Sequence, residues 1–158
     1  MAYLDRDGVR IYYEVHGSGP AILLSHGYSA TSAMWAGQVG PLSANHRLII
    51  WDMRGHGNSD SPANPAEYSE ALTTEDMAAL LDAADARTAV IAGLSLGGYM
   101  SLSFNVAHPH RVSALMLFDT GPGYRSDEGR AGWNRIASSR AKVKRLGCIS
   151  TMMSEGLG

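Results

Sequence analysis

The stretch AGLSLGGYM, Ala92 to Met100, decides how the rest of the chain is read. Ser95 stands between Gly93-Leu94 and Leu96-Gly97, after an apolar run and ahead of a helix-forming segment, in the pattern G-x-S-x-G. A strand that passes into a helix through a single residue forces that residue into a strained conformation. Its neighbours two positions before and after must then be small. The bend lifts the serine Oγ clear of the main chain. The helix that follows aims free N–H groups and the positive end of its dipole at the same spot. A nucleophile whose attack creates an oxyanion needs this arrangement, and Gly93, Gly97 and Gly98 supply the small residues around it. Phosphate loops also use glycine-rich strand-to-helix turns. Neither G-x-G-x-x-G nor Gly-Lys-Ser/Thr occurs here, so nucleotide binding has little support.

Working outward, short apolar runs alternate with helical segments. Strands are expected at Tyr3–Leu4, Val9–Val15, Ala21–Ser25, Arg47–Trp51, Thr88–Ala92 and Val112–Phe118. Three of these runs lack polar alternation and suit strands buried on both faces. Helices are expected at Ser32–Leu42, at Ala71–Ala84 with Leu72, Met77, Leu80 and Leu81 on one face, and at Leu96–Ala107, stopped before Pro109. Asp52–Pro65 is a turn-rich loop. This alternation implies an α/β fold with a doubly wound, mostly parallel sheet. Such sheets bind ligands at the carboxyl ends of their strands. His26-Gly27-Tyr28, Asp52-Met53-Arg54, Gly93-Leu94-Ser95 and Asp119-Thr120 are therefore expected on one rim.

The 158 residues suffice for one buried core without metal or disulfide staples. The lone Cys148 excludes an internal disulfide and fits a reducing compartment. With no signal-peptide pattern at the start and no apolar run of spanning length, a soluble cytoplasmic protein is expected. The net charge of −2 gives no reason to expect nucleic acid. Residues 1–121 carry 6 basic and 12 acidic side chains and residues 122–158 carry 7 and 3, which suggests a boundary near Thr120–Gly123. The basic residues Arg130, Arg135, Arg140, Lys142, Lys144 and Arg145 read as a solvated helical face rather than a docking patch for an acidic partner.

A tetrahedral intermediate needs hydrogen-bond donors on its oxygen. One is the Leu96 N–H, directly after the serine. The second is expected from the loop after Ala21–Ser25, where Gly27 permits a tight turn and the Tyr28 N–H is the candidate. His26 in the same loop reads as an anchor rather than a base. His108 and His110, at the far end of the helix after Ser95, read as surface residues. No H-E-x-x-H occurs and the single cysteine has no partners, so neither a metal nor a cofactor is expected.

The segments LLSHGYSATSAMW, IIWDMRGHGNSD, DMAALLDAADARTAVIAGLSLGGYMSL and AHPHRVSALMLFDT, in this order, make the chain resemble the α/β-hydrolase superfamily over nearly all of residues 9–121. The resemblance implies an initial antiparallel strand pair and a structural role for the Asp52–Asp60 loop. The serine argues against the branches with an aspartate nucleophile, the haloalkane dehalogenases and common epoxide hydrolases. Gly-Leu-Ser-Leu-Gly-Gly together with Asp52-Met53-Arg54-Gly55-His56-Gly57 looks most like enol-lactonases and small-ester hydrolases, with carbon–carbon bond hydrolases and perhydrolases as neighbours.

In that fold the order is serine, then an acid, then a histidine. The last histidine of this chain is His110. Asp119 ends a strand where some branches place the acid, although a loop-capping aspartate is the plainer reading. The expectation is an N-terminal portion of a longer hydrolase: core residues 1–121, incomplete at its C-terminal side, and the start of a helical cap over 122–158. The expected substrate is a small ester or lactone; the alternative is a non-catalytic small-molecule binder. The strand Val112–Phe118 would then keep an open edge through which the chain self-associates.

Overall fold

Short apolar runs become the inner strands of one six-stranded sheet. The computed structural model describes residues 1–121, 126–132 and 135. The strands are Ala2–Arg6 (β1), Val9–His16 (β2), Ala21–Ser25 (β3), Arg47–Trp51 (β4), Ala89–Leu94 (β5) and Val112–Phe118 (β6), in the order β1-β2-β4-β3-β5-β6. The first two form a hairpin at Asp7-Gly8. Both residues have positive φ, +56° and +85°, as a two-residue turn between twisted strands requires. β2 pairs antiparallel with β4, and β4, β3, β5 and β6 run parallel.

Alternation along β3 and β4 sorts the core onto two faces. Ile22, Leu24, Leu48 and Ile50 pack beneath Trp35, Val39 and Leu42. Leu23, Ile49 and Trp51 point the other way, into a larger cluster with Met77, Leu80 and Leu81 of Glu70–Ala83 (α2) and Tyr99, Met100 and Phe104 of Leu96–Ala107 (α3). The sheet is thus covered on both sides, as apolar parallel strands require.

The segment expected as one helix at Ser32–Leu42 is divided. Ser32–Trp35 is a 3-10 turn and the α-helix, α1, runs from Ala36 to Ser43. The tight first turn has two visible reasons: the Ser32 N–H donates to Asp52 Oδ1 at 2.6 Å, and Trp35 is drawn into the core. α2 begins at Glu70, capped by the Ser69 hydroxyl accepting from the Leu72 N–H at 3.1 Å.

In register, Ser25 lies level with Trp51 and Gly93, and Leu94 with Phe118. The four parallel strands therefore end together, and the four polar stretches that follow them share one rim. Among the described residues, no helix is long and apolar enough to cross a membrane. Residues 127–132 are helical. Most of the segment expected to form a cap, including Cys148 and the basic residues after Arg135, lies outside the described residues.

Candidate active site

Ser95 occupies the single residue between β5 and α3, with φ +52° and ψ −113°. Backbone in this region costs on the order of 1–3 kcal/mol for a residue with a side chain and persists only where its surroundings enforce it. Three hydrogen bonds hold it here. The Ser95 N–H donates to the Phe118 carbonyl at 2.9 Å, and the Ser95 carbonyl accepts from the Tyr99 N–H at 3.0 Å and the Thr120 hydroxyl at 2.7 Å.

The flanking glycines have no room for a side chain. A Cβ on Gly93 would collide with the backbone of Gly97 and Gly98, and one on Gly97 with the carbonyls of Ser25 and His26. One on Gly98 would collide with the Thr120 side chain. Serine is also a favoured helix cap, its hydroxyl accepting from a first-turn N–H. Ser95 makes no such bond, and the residue is exposed. Its hydroxyl is therefore not committed to the helix. Leu96 opens α3, so its N–H is among the first-turn donors that no helix carbonyl reaches.

The loop after β3 passes directly alongside. A Cβ built on Gly27 would lie 3.5 Å from the Leu94 carbonyl oxygen and 3.7 Å from Ser95 Cβ. The Gly27 carbonyl closes a turn with the Ala30 N–H at 3.1 Å, and Ser29 takes φ +61°. The fully buried His26 uses both ring nitrogens: Nδ1 contacts the Gly27 carbonyl at 2.8 Å and Nε2 the Met53 N–H at 3.0 Å. Since an amide N–H can only donate, Nε2 is the bare nitrogen and Nδ1 carries the proton. Burial, and then the neighbouring His56, pull its pKa down to about 4, so the ring is neutral at pH 7. Both ring nitrogens of His26 are thus engaged in hydrogen bonds.

The loop after β4 is structural in its contacts. The buried Asp52 carboxylate accepts from the Ser32 N–H on one oxygen and from the Asn58 N–H at 2.8 Å on the other. Gly57, at φ +52°, faces that carboxylate where no Cβ would fit. Arg54 turns inward onto Asp76 of α2 through Nε–Oδ2 at 2.6 Å and Nη2–Oδ1 at 2.9 Å. Arg6 reaches the same carboxylate at 3.2 Å and Glu67 approaches Arg54 at 3.3 Å. The Asp76 hydrogen bond raises the Arg54 pKa against the cost of burial. This network has no signal in the apolar pattern of α2.

Asp119 has φ +45° and an exposed side chain. Residues on both sides of it, Phe118 and Thr120, bind the Ser95 backbone, which places it beside the strand end that carries Ser95. Sequence context puts Thr120 on the rim but gives its side chain no role. Its hydroxyl and methyl become significant only through contact with Ser95 and Gly98. His108, expected on the surface, is partly buried against the Phe104 ring at 4.9 Å and lies 3.1 Å from Glu75.

A family model described as alpha/beta hydrolase fold matches residues 20–137. The chain belongs to the alpha/beta hydrolase fold family. An Azorhizobium caulinodans protein provisionally named as the carbamate hydrolase RutD is 36% identical over 117 residues, covering 74% of this chain and 43% of its own. An epoxide hydrolase of Caballeronia sordidicola is 36% identical over 110 residues, covering 69% of this chain and 33% of its own. The solved structure of Est816, titled as an N-acyl homoserine lactone degrading enzyme, superposes with a TM-score of 0.76 at 32% identity, covering 90% of this chain and 56% of that one. This alpha/beta hydrolase chain thus spans less than half the length of those two curated relatives.

Proposed function

We propose that Ser95 is the nucleophile of a hydrolase that cleaves a carboxylic ester or lactone through an acyl-enzyme. Ser95 Oγ adds to the substrate carbonyl carbon as a general base removes its proton. The carbonyl oxygen takes the negative charge and is held by the N–H groups of Leu96 and Tyr28. Collapse breaks the bond to the alcohol oxygen, which leaves with the proton, and water then releases the acid. Each oxyanion donor is worth about 3–4 kcal/mol of barrier. The acid is a carboxylate at a strand end, with Asp119 one candidate, and the base is a histidine contributed from outside residues 1–158. The observation that carries this reading is the enforced backbone of Ser95, wedged between glycines whose places no larger residue could take. The likeness to Est816, described as degrading N-acyl homoserine lactones, supports the substrate class.

The test is covalent. The protein expressed over its complete reading frame should be labelled by a fluorophosphonate at Ser95, read by peptide mass mapping, and Ser95→Ala should abolish the label. Labelling that survives the substitution would reject the assignment.

A second consequence concerns association. β6 pairs with β5 on one edge, with no described strand on the other, and Met116, Leu117 and Phe118 are 42%, 40% and 37% exposed. An apolar strand edge is a template for another chain. Residues 1–158 should therefore self-associate through β6, seen as a sedimentation coefficient that rises with concentration. A folded monomer throughout the series would count against this.

A further inference from the structure

We propose that His26 is a positioning residue for the oxyanion: by binding the Gly27 carbonyl it fixes the Gly27–Tyr28 peptide with the Tyr28 N–H turned toward Ser95. This rests on the reading of Tyr28 as an oxyanion donor. In a trans peptide the C=O and the following N–H point in opposite directions, and no cis peptide occurs among the described residues. Whatever holds the Gly27 carbonyl therefore also aims the Tyr28 N–H. Glycine imposes little restraint of its own, so a Gly27–Tyr28 unit turns over readily unless it is held.

It is held twice. The Gly27 carbonyl accepts from His26 Nδ1–H at 2.8 Å and from the Ala30 N–H at 3.1 Å, and inverting the peptide breaks both bonds. The bond from Ala30 belongs to the turn itself and moves with it. The bond from His26 ties the peptide to the body of the protein, because Nε2 is seated on the Met53 N–H of the loop after β4. One buried ring thus bridges the loops after β3 and β4, beside Ser95. The titratable groups facing it are His56, with ring centroids 4.9 Å apart, and the Asp52 carboxylate. Protonation places a second N–H at Nε2, against the Met53 N–H, and opens the clasp. With the ring's pKa near 4, this happens only in acid.

The experiment compares ¹⁵N-labelled residues 1–158 with His26→Leu, which removes both bonds, and His26→Asn, whose amide keeps a donor near the Nδ1 position. The wild type should show one Tyr28 amide resonance and a through-bond coupling between the Met53 amide and His26 Nε2. The Tyr28 resonance should shift or broaden in His26→Leu and return toward its wild-type position in His26→Asn. On acidification the Tyr28 and Met53 amides of the wild type should titrate together near pH 4, and those of His26→Asn should not. Phenylboronic acid, which forms a tetrahedral anion on a serine, should bind His26→Leu about tenfold or more weakly, and His26→Asn within about threefold of the wild type. An unmoved Tyr28 amide in His26→Leu overturns the proposal, as does unchanged boronate affinity. If His26→Leu fails to fold, the absence of a shared titration in the wild type overturns it. Boronate that binds wild type and Ser95→Ala equally rejects the nucleophile reading instead, and the Tyr28 amide alone then decides the role of His26.

Discussion

Replacing Asp76 by alanine is expected to cost the protein about 3–5 kcal/mol of stability, because it strands a buried cation. The Arg54 side chain is 3% exposed and Asp76 accepts two of its N–H groups. Without that carboxylate Arg54 keeps only Glu67, which is 40% exposed and 3.3 Å away. Arg6 loses its partner as well. For a chain of this size the loss corresponds to a fall of roughly 6–20 °C in the thermal midpoint, readable by circular dichroism. Removing both members, as Arg54→Met with Asp76→Leu, should restore much of the loss, since a buried pair replaced by apolar residues leaves no charge uncompensated. A single-variant cost below about 1 kcal/mol would show that the network is not worth what its burial implies.

The second large effect is on turnover. Residues 1–158 alone are expected to hydrolyse p-nitrophenyl acetate near the uncatalysed rate, because general-base assistance contributes about 10²–10⁴-fold and, among the described residues, no histidine is hydrogen-bonded to Ser95. His26 has both nitrogens engaged. His16 is paired with Glu14, His46 leans on the Leu42 carbonyl, and His108 lies by Glu75. His56 is buried, with Nδ1 on the Arg54 carbonyl. Burial lowers its pKa. Its Nε2 makes no hydrogen bond among the described residues. Measured turnover that disappears in Ser95→Ala would contradict the expectation. His56→Ala and His26→Ala would then identify which ring reaches the serine.

How much of this was legible depends on how far each contact spans. The inner strands follow from short apolar runs and the elbow from five consecutive residues, so both are local, whereas β1, expected only at Tyr3–Leu4, extends over Ala2–Arg6. The rim follows once the parallel arrangement is inferred. The Arg54–Asp76 pair spans 22 residues and the Arg6–Asp76 contact 70. Nothing beside Asp76 distinguishes it from the exposed Glu75. The side-by-side placement of β2 and β4, and the split of the first helix at Trp35, likewise depend on partners distant in the chain. The His26 anchor was readable as a type of role, but its two partners were not, because one of them is the amide of Met53, 27 positions away.

The backbone of Ser95 also says when the site comes into being. Its unfavourable φ is imposed by Phe118 and Thr120, and by the crowding of Gly97 against β3. A chain with β5 complete but β6 still inside the exit tunnel lacks the Phe118 and Thr120 bonds to the Ser95 backbone. Both bonds form only when β6, which begins at Val112, docks beside β5. The grip on the Ser95 backbone is thus a late product of assembly, completed only once Phe118 and Thr120 are in place.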